Sequence, residues 1–336
     1  MKTRKEIQIS PISDDVSATV SLVRPILKGL LFSLKDNVVK NQGGYANISL
    51  FMLPRLYRPG DGDVGICFEY AVHEAIIQKN PLILDRVQTA LHMCHINGDT
   101  PSSLLFGAEK SGALSLVDSI KAQLTNESRL LAGTRGQPAK LRKHIDSVAA
   151  SFRKSSIREQ LPYTICDTWR ADLFIGQPLS DQWVATTIKI NPTYLEGGRG
   201  LRVGIIPMTP GASDNVFKDD NKNLVVCPLP YDGSFMELFY NAWIIVRSFI
   251  TADAQMPKEV CLPKPSDRFV CEQLVTRGNY PVIDVIEALS NFSQPHLLAK
   301  DTEEINEYET DSIEINELRN SNLEINSTIF PEACIV

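Results

Sequence analysis

The amino-acid sequence predicts an α/β protein with a mixed central sheet of about four to five strands, flanked by helices and carrying helical additions. The first observation is a series of apolar, β-rich runs separated by turn residues, at 165–176, 182–190, 201–208 and 223–229. The second is apolar spacing typical of helices on both sides of this series, above all in 64–78 and 234–251. Helices that surround a run of strands indicate one mixed α/β layer structure.

The first 60 residues form an N-terminal subregion that ends at a strong chain breaker, Pro59-Gly60-Asp61-Gly62-Asp63. Residues 16–35 within it carry apolar residues at both helical and strand spacing, so the pattern leaves their type open. Beyond the breaker, the pattern predicts four helices before the strands, at 64–78, 82–96, 101–124 and 138–156.

The apolar residues of the last two strands are continuous rather than alternating, as in Val203–Ile206 and Leu224–Cys227. Such runs are typical of central strands that are covered on both faces. The predicted organisation is an N-terminal subregion, a core with a helical insertion, a C-terminal helical extension and an acidic tail. Their respective ranges are 1–60, 61–255 with the insertion at about 80–160, 256–300 and 301–336.

The net charge of −6 is caused by the tail, which holds ten acidic side chains and one basic one. Without the tail, the chain has 33 basic and 30 acidic residues. Glu-Ile-Asn recurs in the tail three times, at intervals of ten residues. Three short copies with little apolar content cannot bury a repeat core, so we expect the tail to be disordered.

Residues 121–160 hold nine Lys or Arg against three Asp or Glu, a local excess that can meet phosphates. The seven cysteines form no CxxC pair, which fits reduced thiols in a cytoplasmic protein. No apolar run is long enough to span a membrane, and the first residues do not resemble a secretory signal. We therefore expect a cytoplasmic protein without a membrane partner.

An acidic and a basic residue stand in the first two apolar runs. Asp172 lies in Ala171–Gly176, and Lys189 follows 17 positions later in Trp183–Ile190. A hairpin would bring the two strands side by side. A carboxylate in an apolar strand needs a partner, because burying a lone charge is costly. A divalent metal is one such partner, and the lysine could then serve a bound water or a phosphate.

These residues, together with Glu69 on the helix at 64–78, resemble the PD-(D/E)xK nuclease superfamily, which includes many restriction endonucleases and Holliday-junction resolvases. The family pattern has a Glu on the first core helix, an Asp on the second strand, and a triplet ending in Lys on the third. Here Thr187-Ile188-Lys189 would be the triplet, with Thr187 where the family most often has a carboxylate. The strands at 201–208 and 223–229 and the helix at 234–251 would complete the sheet and its crossover.

The resemblance implies a restriction-endonuclease-like fold and metal-dependent hydrolysis of DNA phosphodiesters, as in microbial restriction or phage defence. Asp172, Glu69 and Thr187 would hold Mg²⁺ or Mn²⁺, and Lys189 would orient or deprotonate the attacking water and offset charge in the transition state. Protein partners from a defence system and a homodimer are both compatible with this role. The residues predicted to contact the DNA are Lys140, Arg142, Lys143, Arg199 and Arg202.

Simpler interpretations stay open. Asp172 could form a plain ion pair with Arg170 or Lys189, and Thr187 is β-branched and suits any strand. Glu74 is the nearest substitute for Glu69. The alternative function is a nuclease-like domain that has lost catalysis and serves as a nucleic-acid-binding or assembly module. A third interpretation is an α/β protein unrelated to nucleases.

Overall fold

A computed structural model gives the structure of residues 13–57, 63–106, 120–131, 138–153, 170–198, 200–231 and 235–293. The acidic tail at 301–336, predicted to be disordered, lies outside the described residues. The helices of the described part are α1 (Asp14–Phe32), α2 (Asp36–Asn41), α3 (Leu53–Leu56), α4 (Asp63–Ile77), α5 (Pro81–Met93), α6 (Leu141–Arg153), α7 (Phe235–Thr251), α8 (Pro265–Val275) and α9 (Val282–Ala288).

The strands of the described part are β1 (Ser102–Leu105), β2 (Arg129–Leu130), β3 (Ala139–Lys140), β4 (Leu173–Gln177), β5 (Gln182–Ile188), β6 (Arg202–Pro207), β7 (Phe217–Asp219) and β8 (Leu224–Leu229). They form one mixed sheet in the order β1-β4-β5-β6-β8-β7. β5 pairs with β6, and β6 with β8, in parallel, whereas β4 and β5 are antiparallel. β2 runs parallel to the start of β5 and antiparallel to β3.

Side chains alternate between the two faces of this sheet and enter different cores. On one face Val184, Ile188 and Val203 join the main core, which the helices complete. On the other face Phe174, Trp183 and Ala185 pack with α6 in a second, smaller core. A third small cluster, formed by Ile206, Leu224 and Val226, lies on this same face. The second face is therefore covered in two patches, one at β4 and β5 and one at β6 and β8.

Helix α1 lies at the centre of the main core. Most of its residues are buried, and it packs against α4, α7, α8 and α9. Asp14 and Asp15 in its first turn face the positive end of the helix dipole, which stabilises this start. The sequence left the type of 16–35 open because a helix that is buried all round lacks a polar face to reveal its period. The N-terminal subregion therefore shares one core with the other helices.

The central prediction of an α/β sheet flanked by helices is confirmed, but the number of strands was wrong. In the described part of the chain the sheet has eight strands instead of four to five. The additional strands β1, β2, β3 and β7 are two to four residues long, too short to show a period of two. The predicted helical insertion at about 80–160 contains helices α5 and α6, but also β1, β2 and β3.

The predicted helix at 101–124 was also wrong at its start, because residues 102–105 form strand β1 beside β4. Pairing across the sheet overrides the local apolar spacing there. By contrast, β6 and β8 are buried at every position, as their continuous apolar runs predicted.

The connections of the sheet differ from the expectation in one further respect. The chain passes from β5 to the parallel β6 through residues 189–201, and the described part of this segment holds one 3-10 turn, Pro192–Tyr194. Helix α7 comes after the last strand of the described sheet, so the expected crossover by the helix at 234–251 was wrong. Within the described residues, every helix is too short or too polar to cross a membrane.

Candidate active site

The site lies where β4 begins and β5 ends. The amide of Asp172 donates a hydrogen bond of 2.9 Å to the carbonyl of Thr186, and the carbonyl of Asp172 accepts one of 2.9 Å from the amide of Phe106. Thr186 is also the register partner of Leu173, so Asp172 and Leu173 both lie opposite Thr186 and the pairing of the two strands shifts by one residue at this point. Asp172 is thereby fixed between two strands, just before β4.

The Asp172 side chain closes the end of β5. Its Oδ2 accepts hydrogen bonds from the amide of Ile188 at 2.7 Å and from Lys189 Nζ at 3.3 Å. Asp172 is 4% exposed, while the Lys189 side chain is 29% exposed. The predicted meeting of Asp172 and Lys189 at neighbouring antiparallel strands is confirmed. The same contact also fits the simpler interpretation, in which Asp172 forms a plain ion pair with Lys189.

Beside this pair lies a cleft of about 350 Å³. Its walls are formed by Arg170, Thr187, Lys189, Tyr194, Glu196, Gly197, Gly198 and Arg202. Thr187 and Lys189 share a face of β5 because they are two residues apart, and Arg202 pairs with Ala185 on the neighbouring strand. The cleft therefore opens on the second face of the sheet, between the two small hydrophobic clusters. Its walls carry three cationic side chains and one carboxylate, which favours an anionic ligand.

The segment between β5 and β6 forms one wall of the cleft and is held by local contacts. The Asn191 side chain accepts hydrogen bonds from the amide of Thr193 at 3.0 Å and from its hydroxyl at 2.8 Å, and so caps the 3-10 turn. Leu195 packs so closely on Gly204 that an added Cβ would lie 2.6 Å from Leu195 Cδ1. Gly198 similarly lies against the Arg202 guanidinium, where a Cβ would come within 2.5 Å of Nε.

Thr187 lies on the cleft wall and carries a buried hydroxyl. The residue is 5% exposed, and its Oγ1 has no hydrogen-bond partner among the described residues. A buried hydroxyl without a partner is costly, so such a group points to a ligand, a water or an ion. Together with phosphate oxygens and a carboxylate, it fits the all-oxygen coordination that Mg²⁺ prefers.

Within the described residues, no group of three or more His, Cys, Asp or Glu could hold a metal ion. A Mg²⁺ site here would therefore depend on one or two carboxylates plus the substrate, which is a common arrangement for this ion. His92, Cys94 and His95, at the end of α5, belong to the described part and do not form such a group. Cys94 is buried, and burial raises the pKa of its thiol to about 12.

Glu69 is buried on α4, at 3% exposure, and does not line the cleft. One turn further along the helix, His73 Nδ1 lies 2.9 Å from the Ser103 hydroxyl on β1. Helix α4 contributes to the main core on the first face of the sheet. The role of Glu69 as a metal ligand stays a prediction.

The substitute carboxylate, Glu74, has another partner. Its Oε2 lies 2.8 Å from Lys28 Nζ. Burial of Glu74 would raise its pKa, but the hydrogen bond and charge of Lys28 bring the pKa below its usual value. Glu74 thus forms a structural ion pair between α1 and α4.

Of the residues predicted to contact DNA, Arg202 lines the cleft, whereas Lys140, Arg142 and Lys143 do not. Lys140 lies 3.6 Å from Glu127, and Arg142 donates to the carbonyl of Leu124. Lys143 is exposed on α6. Arg199 lies outside the described residues. Contact of all five residues with DNA stays a prediction.

Sequence reasoning missed three cleft residues, Arg170, Tyr194 and Glu196. Arg170 was considered as an ion-pair partner of Asp172 only, and neither Tyr194 nor Glu196 was singled out. The connection between the parallel strands β5 and β6 could have indicated the residues of the β5–β6 segment, because a segment that connects two parallel neighbours must pass over one face of the sheet. No family model, curated protein or solved structure matches this chain.

Proposed function

We propose that this chain binds DNA phosphates in the cleft and hydrolyses a phosphodiester with Mg²⁺ or Mn²⁺. The observation that carries the proposal is the Asp172–Lys189 pair beside a cationic cleft whose wall includes Thr187, with a buried hydroxyl that has no partner among the described residues. The resemblance to PD-(D/E)xK nucleases rests on these same residues. A role in microbial restriction or phage defence, with its protein partners or a homodimer, depends on that resemblance alone.

The cationic side chains would bind and orient the scissile phosphate. An arginine guanidinium suits this task because its planar donors match two phosphate oxygens. Arg202 is 5% exposed and rests against Gly198, so its orientation is largely set before a ligand binds. Arg170 is exposed and would close on the phosphate from the side of β4.

Lys189 would act on the reacting group. Its ammonium lies at the wall of the cleft, and Asp172 holds it there from behind. A cation fixed in this way stabilises negative charge that develops on the phosphate oxygens in the transition state. Asp172 positions Lys189 through the 3.3 Å contact and is itself fixed by the amide of Ile188.

A bound Mg²⁺ would lower the pKa of a coordinated water and clamp the phosphate. The resemblance assigns its binding to Asp172, Glu69 and Thr187. Among these, Thr187 lines the cleft. Glu196 is the carboxylate on the described cleft wall and is a further candidate ligand.

A second candidate function is binding of nucleic acid without hydrolysis. It is favoured by the position of Asp172, which is 4% exposed and does not reach the described cleft wall. Its Oδ2 is already bonded to an amide and to Lys189. In this case the three cations would hold phosphate, and the Asp172–Lys189 pair would serve the fold.

Nicking of supercoiled plasmid by the purified chain separates the two candidates. Hydrolysis predicts nicking with Mg²⁺ or Mn²⁺ that EDTA abolishes, whereas the binding function predicts retarded plasmid that stays supercoiled. Thr187→Val removes the hydroxyl but keeps the shape and strand preference of the side chain. It should slow nicking without loss of stability, and Thr187→Ser should restore nicking. Equal nicking by wild type and Thr187→Val would remove Thr187 from the site.

A further inference from the structure

The cleft has an aromatic side chain at its edge that phosphate binding does not require. Tyr194 lines the cleft and is 68% exposed. Single exposed apolar residues are normal on protein surfaces. Tyr194 differs because it stands beside three cationic side chains on a segment that local contacts hold in place.

The support under Tyr194 is rigid for a connecting segment. Pro192 fixes the first backbone angle of the 3-10 turn, and the Asn191 side chain caps it. The next residue, Leu195, is fixed against Gly204 on β6. An exposed ring on a held backbone loses little conformational entropy when it binds a flat partner.

We propose that Tyr194 stacks on an unpaired nucleobase, so that the cleft selects single-stranded nucleic acid, an overhang or an extruded nucleotide over an intact duplex. This inference rests on the proposed function, because it needs a phosphate in the cleft next to the stacked base. In a duplex the base faces are already stacked on each other, and exposing one requires unstacking. Aromatic rings beside a positively charged groove are the usual platform for single strands.

The test uses fluorescence anisotropy with the full chain and EDTA, so that binding is measured without hydrolysis. Three labelled probes of one length are compared: a single strand, the matching duplex, and a single strand of abasic sites that keeps the phosphates. Wild type should bind the single strand most tightly. Tyr194→Ala should weaken single-strand binding by about 5- to 140-fold, the range that stacking of one base corresponds to.

Binding of the duplex and of the abasic strand should be unchanged in Tyr194→Ala, and Tyr194→Trp should keep single-strand binding. Tyr280→Ala is the matched control, since Tyr280 is 61% exposed and does not line the cleft. Tyr194→Ala with wild-type affinity for the single strand would overturn the inference, as would tighter binding of the duplex by wild type.

Arg170→Ala distinguishes failure of this inference from failure of the proposed function. Arg170 is exposed, so the substitution should leave the fold intact. If Arg170→Ala weakens binding of all three probes but Tyr194→Ala changes none, the phosphate site stands and the stacking inference falls. If Arg170→Ala leaves the binding of all three probes unchanged, or if wild type binds no probe, both the proposed function and the stacking inference are refuted.

Discussion

The contacts of Asp172 predict that Asp172→Ala destabilises the fold, whatever the chain does to nucleic acid. The structure buries the carboxylate and makes it the acceptor for the amide of Ile188 at 2.7 Å. Alanine would leave that buried amide without the acceptor and Lys189 without its partner.

The cost can be worked from these two contacts. A buried donor that loses its acceptor costs about 1–3 kcal/mol. The ion pair contributes less, about 1 kcal/mol at most, because Lys189 is partly solvated and can turn toward water. We therefore expect a loss of about 1–4 kcal/mol in the free energy of unfolding, compared with the roughly 5–15 kcal/mol typical of folded proteins.

Urea unfolding followed by circular dichroism measures this loss. Asp172→Asn is the matched variant, because its side-chain oxygen can still accept from the amide of Ile188 while the charge is removed. It should be destabilised by less than half as much as Asp172→Ala. Equal free energies of unfolding for wild type and Asp172→Ala would refute the reasoning, and equal losses in both variants would show that the charge dominates instead of the hydrogen bond.

Three further predictions concern stability and the cleft wall. Burial lowers the pKa of His73 to about 4, so the free energy of unfolding should fall as pH drops from about 6.5 to 4, because the unfolded chain binds the proton first. Urea unfolding at several pH values measures this pH dependence, which should become weaker in His73→Gln. An unchanged pH dependence in His73→Gln would show that another group causes it. Gly204→Ala should displace Leu195 from the sheet, which lowers the free energy of unfolding by about 1–3 kcal/mol and weakens nucleic-acid binding. Equal anisotropy curves for wild type and Gly204→Ala would contradict this. Deleting 301–336 should change the unfolding free energy by less than about 0.5 kcal/mol, because the tail offers little apolar mass, and a truncated chain that fails to fold would disprove this.

The fold could be predicted from the sequence where the apolar pattern is long and local. The buried runs in β6 and β8 and the amphipathic helix α7 are of this kind. The short strands β1 and β2 could not be predicted, because two to four residues show no period and their pairing is decided by distant partners. The type of helix α1 was left open for another reason, since nearly all of its sides are buried and no clear polar face reveals its period.

The site was predictable in part, for a similar reason. Asp172 directly precedes β4 and Lys189 directly follows β5, and a short turn joins these strands, so the spacing of the two residues in the sequence predicts that they meet. The places of Arg170, Tyr194 and Glu196 depend on how the segment at 189–201 crosses the sheet, which is set by the packing of Leu195 on Gly204. The burial of Asp172 behind Lys189 also depends on the shifted ladder, which no local pattern reveals.

The central claim is that a phosphodiester is hydrolysed at this cleft with Lys189 acting on the phosphate. The most direct measurement is the initial rate of plasmid nicking in Mg²⁺ for wild type, Lys189→Ala and Lys40→Ala. Lys40 is the matched control, because it also pairs with an aspartate, Asp36, at 2.6 Å but is exposed outside the cleft. We predict that Lys189→Ala lowers the rate by about 10²–10³-fold, the usual effect of losing one group that stabilises transition-state charge, and that Lys40→Ala leaves it unchanged. Nicking by a folded Lys189→Ala at the wild-type rate would contradict the account.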